Sequence, residues 1–161
     1  MNDKLKVIIA GPRDFYDYDL VASSLVNILP KDRSRIQIVE GGATGIDRIA
    51  RDFAIANKIE YKEFPADWSL GRKAGPIRNE QMAKYADTLI AFDAHTRGTT
   101  SMIRCATKEG LKITVFDISA QYKKELSKDT SLTDANNKEE TQPKPNSLKE
   151  DAHKGIDEIE L

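Results

Sequence analysis

Short apolar runs that alternate with helical patterns constrain the fold of this chain more than any other feature. The apolar runs are rich in β-branched residues and occupy residues 6–10, 36–39, 61–64, 88–92 and 113–116. Between them lie segments with apolar positions at three- and four-residue spacing, at residues 19–29, 46–57, 77–85 and 100–109. Strands that alternate with helices form parallel sheets. The pattern therefore predicts an α/β fold, a Rossmann-like doubly wound and mainly parallel five-stranded sheet.

Length and charge indicate a single domain followed by a tail. The 161 residues suffice for one hydrophobic core. Residues 1–117 contain 18 Lys and Arg against 16 Asp and Glu, whereas residues 118–161 contain 7 against 10. Because the second segment has little apolar content and no sustained period, we predict a domain over residues 1–118 and a mostly disordered, charged tail over residues 119–161. Residues 155–161 are expected to form a solvated acidic end.

Several classes of protein do not fit the composition. Cys105 is the sole cysteine of the sequence, and His95 and His153 are isolated, so we expect no disulfide and no metal site. No apolar run approaches the length of a membrane span, and the first residues lead into a strand instead of a signal-peptide apolar region. We expect a cytoplasmic protein with no membrane partner and no required cofactor.

A glycine-rich turn, residues 40–47, joins the second predicted strand to a helix. Glycines allow positive φ and close backbone approach, and the first amides of the helix lack intrahelical partners, so such a turn can bind phosphate. The alternative is a tight turn without a ligand. Other motifs are missing: there is no Gly-x-x-x-x-Gly-Lys-Ser/Thr, and the first turn has one glycine where a dinucleotide fingerprint has three.

The loops after the other strands add polar residues to the same predicted rim of the sheet. In doubly wound sheets, ligands bind beyond the carboxyl ends of the strands. Arginines there can grip phosphate, and hydroxyls and amides at a helix start can assist them. The candidate ligand-binding residues are Gly11, Arg13, Phe15, Gly41, Gly42, Ala43, Thr44, Gly45, Asp47, Trp68, Lys73, Arg78, Asn79, Arg97, Gly98, Thr99, Thr100 and Ser101. We predict a phosphate-bearing, nucleotide-like ligand.

Six segments in order, residues 9–15, 40–47, 64–68, 73–82, 86–87 and 97–99, resemble the YspA-like branch of the SLOG superfamily. This superfamily joins the DNA-processing protein A (Smf) group and the lonely-guy phosphoribohydrolases. The resemblance implies a Rossmann-like domain that binds nucleotides or nucleotide-derived signals, NAD-derived and ADP-ribose-derived ligands among them. It also implies a homodimer or higher homo-oligomer.

The resemblance leaves an enzymatic alternative open. Lonely-guy enzymes cleave an N-glycosidic bond with a glutamate and an arginine, and Arg78 matches that arginine. The glutamate position falls on Met102, whose thioether cannot move a proton. An N-glycosidic or phosphoribosyl hydrolase would therefore need Glu40 or Asp47 together with Arg78 as its catalytic residues. We favour a structural role for Asp47 and expect no lonely-guy catalysis.

A single-stranded nucleic-acid binding protein is the other alternative, because residues 45–47 and 78–79 match the DNA-processing group. That function needs a basic groove and stacking aromatics, for which Trp68 and Phe15 are the candidates. Trp68 is interpreted either as a stacking group or as a cover for the core edge. The preferred function is binding of a nucleotide-derived ligand as a sensor or sequestering protein, with Asp47 or Asn79 meeting ribose hydroxyls. Sequestering, as in a phage or defence-associated protein, needs no second domain.

Overall fold

The computed structural model describes residues 3–136 and the pair Ile159–Glu160. The strands are β1 (Leu5–Ala10), β2 (Ile36–Glu40), β3 (Glu60–Glu63), β4 (Thr88–Asp93), β5 (Lys112–Asp117) and β6 (Ile159–Glu160). The α-helices are α1 (Tyr18–Ile28), α2 (Ile46–Ala56), α3 (Ala74–Tyr85), α4 (Arg97–Lys108) and α5 (Ser119–Asn136). Short 3-10 turns cover Arg33–Arg35 and Trp68–Lys73. No helix in the described ranges is long and apolar enough to cross a membrane.

The sheet has the strand order β3-β2-β1-β4-β5-β6. The first five strands are parallel, and β6 pairs antiparallel with β5. The chain moves outward from β1 through β2 to β3, and then returns to pair β4 on the other side of β1. This confirms the predicted doubly wound α/β fold and places the topological switch point between β1 and β4.

Both faces of the sheet are buried, because successive residues of a strand point to opposite sides. Val7 and Ile9 of β1 belong to a core cluster with α1 and α2. Ile8 and Ala10 belong to a second cluster with Met82 of α3 and Met102 and Ala106 of α4. The apolar face of α1, at Leu20, Val21, Leu25 and Leu29, is buried in the first cluster. Helices on both faces leave the ends of the strands as the place for a ligand.

Helices α3 and α4 begin at Ala74 and Arg97, before the predicted residues 77 and 100. Neither start has a side-chain cap hydrogen bond, although Thr96 at the N-cap position of α4 is a residue type that often caps helices. β3 lies at the sheet edge, and all four of its residues are exposed. The earlier helix starts bring α3 and α4 closer to the rim.

The segment Ser119–Asn136 is a helix, which corrects its prediction as part of a mostly disordered tail. Asp117, the last residue of β5, accepts hydrogen bonds from the Ser119 amide at 2.9 Å and the Ser119 hydroxyl at 2.6 Å, at the start of α5. Ile118 is buried, and Tyr122 packs against the first core cluster. Residues 137–158 of the predicted tail lie outside the described residues. The domain boundary at residue 118 remains a prediction.

Candidate functional site

A cavity of about 480 Å³ opens at the carboxyl ends of β1 and β4, between α3, α4 and the loop after β1. Its volume lies in the usual range for small-molecule sites. Most of the lining residues belong to α3, α4 and the loops after the first four strands, and Tyr122 belongs to α5. The full set is Ala10, Gly11, Pro12, Arg13, Asp14, Ala43, Asp47, Trp68, Arg72, Gly75, Pro76, Arg78, Asn79, Met82, Thr96, Arg97, Gly98, Thr99, Ser101, Met102 and Tyr122. The cavity lies at the switch point, where doubly wound sheets bind ligands.

A second cavity of about 360 Å³ adjoins the first beside the glycine-rich turn. Arg13, Ala43, Trp68 and Arg78 line both cavities. Gly41, Gly42 and Thr44 line the second cavity, with Pro65 and Ala66. An elongated ligand can therefore extend from one cavity toward the other.

Four arginines line the larger cavity: Arg13, Arg72, Arg78 and Arg97. Arg13, Arg72 and Arg97 are exposed, whereas Arg78 is only 9% exposed. Two carboxylates, Asp14 and Asp47, line the same cavity. The wall is thus richer in guanidinium than in carboxylate groups, which favours an anionic ligand.

Arg78 is held in place by the protein itself. Its Nη1 donates to the carbonyl oxygens of Gly41 and, at 3.4 Å, of Phe64, and its Nε donates to Oδ1 of Asn79 at 3.1 Å. Asn79 in turn donates from Nδ2 to the Ser101 hydroxyl at 3.1 Å. Burial lowers the pKa of Arg78, and the charge of Asp47 opposes that shift. Arg78 therefore links the turn after β2 to α3 and α4.

The amides of the glycine-rich turn are engaged by the chain's own carboxylates. The Gly42 amide donates to Oε1 of Glu40 at 2.6 Å, and the Ala43 amide donates to Oδ2 of Asp47 at 3.1 Å. The Ile46 amide, at the start of α2, donates to the carbonyl oxygen of Pro12 at 3.1 Å. The turn has the geometry of an anion site, but internal acceptors take the positions that phosphate oxygens were predicted to occupy.

Glu40 and Asp47 are buried carboxyl groups. Glu40 is 1% exposed, and burial raises its pKa from 4.5 to about 7. Burial also raises the pKa of Asp47, opposed by the Ala43 amide and by the charge of Arg78. Asp47 lines the larger cavity, whereas Glu40 lines neither of the two cavities. Of the two candidates for acid–base catalysis, only Asp47 can face a ligand.

The loops after β1 and β2 are fastened to each other. The Thr44 hydroxyl donates to the carbonyl oxygen of Arg13 at 2.7 Å. Gly45 has a φ of 70°, and a Cβ at this position would collide with backbone atoms of Pro12 and Arg13. Gly45 is therefore required by close backbone approach, and it holds the loop that carries Arg13 against the start of α2.

The start of α4 has a different arrangement. Thr96 occupies the N-cap position, but its side chain caps no amide and donates instead to the Thr99 hydroxyl at 3.1 Å. The first turn contains no acidic residue, and Arg97, Gly98 and Thr99 line the larger cavity. The helix dipole and the first amides of α4 thus face a cavity that also contains arginines.

The two aromatic candidates lie in opposite environments. Phe15 is 0% exposed and belongs to the first core cluster, so its prediction as a ligand contact is wrong. Trp68 is 58% exposed and lines both cavities, so it does not cover the core edge. An apolar side chain after a polar loop is ambiguous in sequence, and packing alone separates the two.

The structure brings most of the other predicted residues to the two cavities. Gly45, Lys73 and Thr100 line neither of them. The candidate ligand-binding set did not include Asp14, Arg72 or Tyr122, which line the larger cavity. Arg72 precedes Lys73 in the same loop. Tyr122 follows the buried Ile118 at helical spacing, and this spacing could have indicated that the tyrosine lies on the inner face of a helix. In the described part of the chain, no cluster of three or more metal-ligating side chains occurs.

Known proteins resemble this chain in sequence and in fold. The sequence model of the YAcAr group, described as the YspA, cpYpsA-related SLOG family, matches residues 5–71. The gene 61 protein of Mycobacterium phage D29 is 34% identical over 119 residues, covering 69% of this chain and 95% of that protein. The X-ray structure of DNA processing protein A (DprA) from Streptococcus pneumoniae matches with a TM-score of 0.59 at 19% identity. That match covers 70% of this chain and 50% of DprA, so this chain spans about half of DprA's length.

Proposed function

Because this chain belongs to the YspA, cpYpsA-related SLOG family, we propose that it binds a nucleotide or nucleotide-derived small molecule at the switch point between β1 and β4. The observation that carries the proposal is the convergence of Arg13, Arg72, Arg78 and Arg97 on one cavity. Phosphate groups are acceptors with negative charge, and arginine binds them through paired N–H donors. Within this proposal, the phosphates of the ligand lie between the arginines and the start of α4.

The three exposed arginines and α4 supply the phosphate contacts. Arg13, Arg72 and Arg97 have guanidinium groups that can turn toward a ligand, whereas Arg78 is fixed by its hydrogen bonds to Gly41 and Asn79. Arg78 keeps the shape of the cavity and adds charge to it. The amides at the start of α4 add donors along the helix dipole.

Trp68 is the proposed contact for the base. Its exposed ring lines both cavities, and a tryptophan side chain offers a large, rigid stacking surface at a low cost in conformational entropy. The ring lies beside the arginine-lined wall, which matches a ligand with an aromatic base at one end and phosphate at the other.

The proposed role is sequestering or sensing of a nucleotide-derived signal, NAD-derived and ADP-ribose-derived compounds included. Sequestering requires a cavity and no second domain, which suits a domain of this size. A homodimer or higher oligomer is part of the proposal, and light scattering of the full chain measures it. One relative is a phage protein, which supports a phage- or defence-associated role in the cytoplasm.

Native mass spectrometry of the full chain, purified gently from cells, tests the proposal. A nucleotide-like mass released on denaturation supports it, and the loss of that mass in Arg97→Ala ties it to the cavity. Arg104→Ala is the matched control, since Arg104 is an exposed arginine of the same helix that lines neither cavity. In titrations with ADP and ADP-ribose, Arg97→Ala should weaken binding about tenfold. Absence of any bound or titratable nucleotide overturns the proposal.

A single-stranded nucleic-acid ligand is the second candidate, favoured by the exposed Trp68 beside Arg72 on the same cavity wall. The fold resembles that of a DNA processing protein. This function predicts oligonucleotide binding that weakens steeply with salt, because counterions are released from the phosphates. If ADP competes as well as an oligonucleotide does, the site is a mononucleotide site and the second candidate fails.

Hydrolysis is the less favoured alternative. Glu40 lines neither cavity and Met102 occupies the lonely-guy glutamate position, which leaves Asp47 beside Arg78 as the remaining acid–base candidate. Incubation with nucleoside monophosphates and NAD, followed by chromatography of free base, tests it. We expect unchanged substrate at high protein concentration; base release that disappears in Asp47→Asn would establish the hydrolase.

A further inference from the structure

Two side chains that line the larger cavity, Asp14 and Tyr122, join the loop after β1 to helix α5. The Tyr122 hydroxyl donates to Oδ1 of Asp14 at 2.9 Å, and both residues line the cavity. Building on the proposed function, we propose that this pair binds the vicinal hydroxyls of a ribose and makes the site selective for ribonucleotides over deoxyribonucleotides. Tyr122 lies outside residues 5–71, which the family's sequence model matches.

The pair presents hydrogen-bond acceptors to the cavity. A tyrosine hydroxyl has one proton, and that of Tyr122 is committed to Asp14, so its oxygen is left with lone pairs. The Asp14 carboxylate is an acceptor only. Burial raises the pKa of Tyr122, and the hydrogen bond to Asp14 raises it further, so the hydroxyl stays protonated at neutral pH. A ligand group that meets this pair must therefore donate hydrogen bonds.

The rest of the cavity has the opposite character. The guanidinium groups of Arg13, Arg72 and Arg97 can donate hydrogen bonds but cannot accept them. They attract phosphate, whereas the carboxylate of Asp14 repels it. Of the parts of a nucleotide, the ribose offers two donors on neighbouring carbons, and a carboxylate is a common partner of ribose hydroxyls. Asp14 directly follows Arg13 in the chain. A phosphate on Arg13 would thus leave the attached ribose near Asp14.

The residues predicted from sequence for this role are already engaged. Asp47 accepts from the Ala43 amide at 3.1 Å and is only 9% exposed, whereas Asp14 is exposed. Asn79 accepts from Arg78 and donates to Ser101, each at 3.1 Å. Among the described residues, Tyr122 is the hydrogen-bond partner of the Asp14 carboxylate. The carboxylate can still accept further hydrogen bonds from a ligand. Asp14 and Tyr122 therefore fit the ribose better than Asp47 and Asn79.

Calorimetric titration of the full chain with ADP and with 2′,3′-dideoxy-ADP measures the selectivity. We expect the wild type to bind ADP about tenfold more tightly than the dideoxy compound. Asp14→Asn should bring the ratio of the two affinities close to one. Tyr122→Phe keeps the packing of the ring and should reduce the ratio severalfold. Asp52→Asn, which changes an exposed carboxylate of α2 outside both cavities, should keep the wild-type ratio.

Each contrary outcome has a distinct meaning. Equal binding of both compounds by the wild type, with binding still weakened in Arg97→Ala, overturns the role of the pair and leaves the proposed function intact. No binding of either compound or of ADP-ribose, with no nucleotide released in native mass spectrometry, overturns the proposed function and with it the role of the pair. A preference for ADP over inosine diphosphate that Asp14→Asn abolishes would assign the pair to the amino group of the base and overturn the ribose assignment.

Discussion

Two strand-to-helix turns at the same edge of the sheet use their backbone amides in opposite ways. After β2, the amides of Gly42 and Ala43 donate to the carboxyl groups of Glu40 and Asp47. After β4, the side chain of Thr96 caps no amide of α4. The glycine-rich turn has the sequence expected of an anion site, yet its donors are taken. The availability of amide donors, more than the number of glycines, thus separates a structural turn from a candidate phosphate site.

The difference lies in where the carboxylates of each turn point. Glu40 ends β2 and reaches forward to the Gly42 amide, whereas Asp47, in the first turn of α2, reaches back to the Ala43 amide. Asp93 ends β4, but its Oδ1 accepts from the His95 amide at 2.9 Å, ahead of the helix. The first turn of α4 has no acidic residue. Four predictions, ordered by expected effect on stability, test this contrast.

Removing the Arg78 charge should have the largest effect. Arg78→Met leaves the buried Asp47 without its nearby cation and leaves the Gly41 carbonyl without its donor. We expect a loss of about 4 kcal/mol in the free energy of unfolding, measured by urea denaturation. Adding Asp47→Asn should restore part of it, because the uncompensated charge is then removed. A loss below about 1 kcal/mol would mean that the turn after β2 does not depend on this charge pair.

Alanine substitutions at Gly45 and Gly98 should change the free energy of unfolding in opposite directions. Gly45→Ala places a Cβ against the backbone of Pro12 and Arg13 at a φ of 70°, so we expect a loss of about 3 kcal/mol in unfolding free energy. Gly98→Ala is the matched comparison in α4, where a Cβ meets no atom within 4 Å. It should increase stability by about 0.5 kcal/mol. Similar losses at both positions would contradict the assignment of a rigid turn after β2 and an open one after β4.

The buried Glu40 should make stability depend on pH. Because folding raises the pKa of Glu40 from 4.5 to about 7, the folded state keeps a proton that the unfolded chain releases within this window. Stability should therefore fall as pH rises from 4.5 to 7, by about 2–3 kcal/mol, and then level off. Glu40→Gln should flatten this part of the profile and be more stable than wild type at pH 8. Urea denaturation at pH 5 and pH 8 measures both, and an unchanged slope in the variant would place the effect elsewhere.

A carboxylate at the N-cap of α4 should have the smallest effect on stability. Thr96→Asp introduces a carboxylate at the N-cap of α4, like the ones that occupy the turn after β2. We expect stability to rise by about 0.5 kcal/mol, because aspartate caps helices better than threonine and interacts favourably with the dipole. Binding of ADP should weaken about tenfold as the new charge competes with phosphate. Thr107→Asp, near the other end of α4 and outside both cavities, is the control and should leave binding unchanged.

The fold was predictable because its signals are local and repeated. Each buried strand is a short apolar run, and α2 and α4 have apolar residues on one face, as in Ile46, Ile49 and Phe53. The end of the domain was harder to predict. Ile118, Tyr122 and Leu126 are three apolar residues at four-residue spacing in a charged segment, and the burial of the first two depends on the core that they meet. Sequence therefore predicted the sheet and missed α5.

The candidate site was predicted in its location and less well in its contacts. Strand order and loop position place Arg13, Arg78 and Arg97 at one edge, because parallel strands end there together. Which side chain faces the cavity depends on packing that no local pattern encodes: Phe15 turns into the core and Trp68 turns outward. The orientation of Glu40 was likewise not encoded locally: its carboxyl group accepts a hydrogen bond from the Gly42 amide in the loop that follows it.

The two edges of the sheet limit how copies of this chain can associate. At one edge, β3 is exposed throughout and carries the charges of Glu60, Lys62 and Glu63, which disfavour pairing with another strand. At the other edge, the two-residue strand β6 pairs antiparallel with Val115 and Phe116 of β5. Unprotected edges promote aggregation through continuous sheets. Pairing of copies of this chain through continuous sheets should therefore be disfavoured at the β3 edge, even at high concentration.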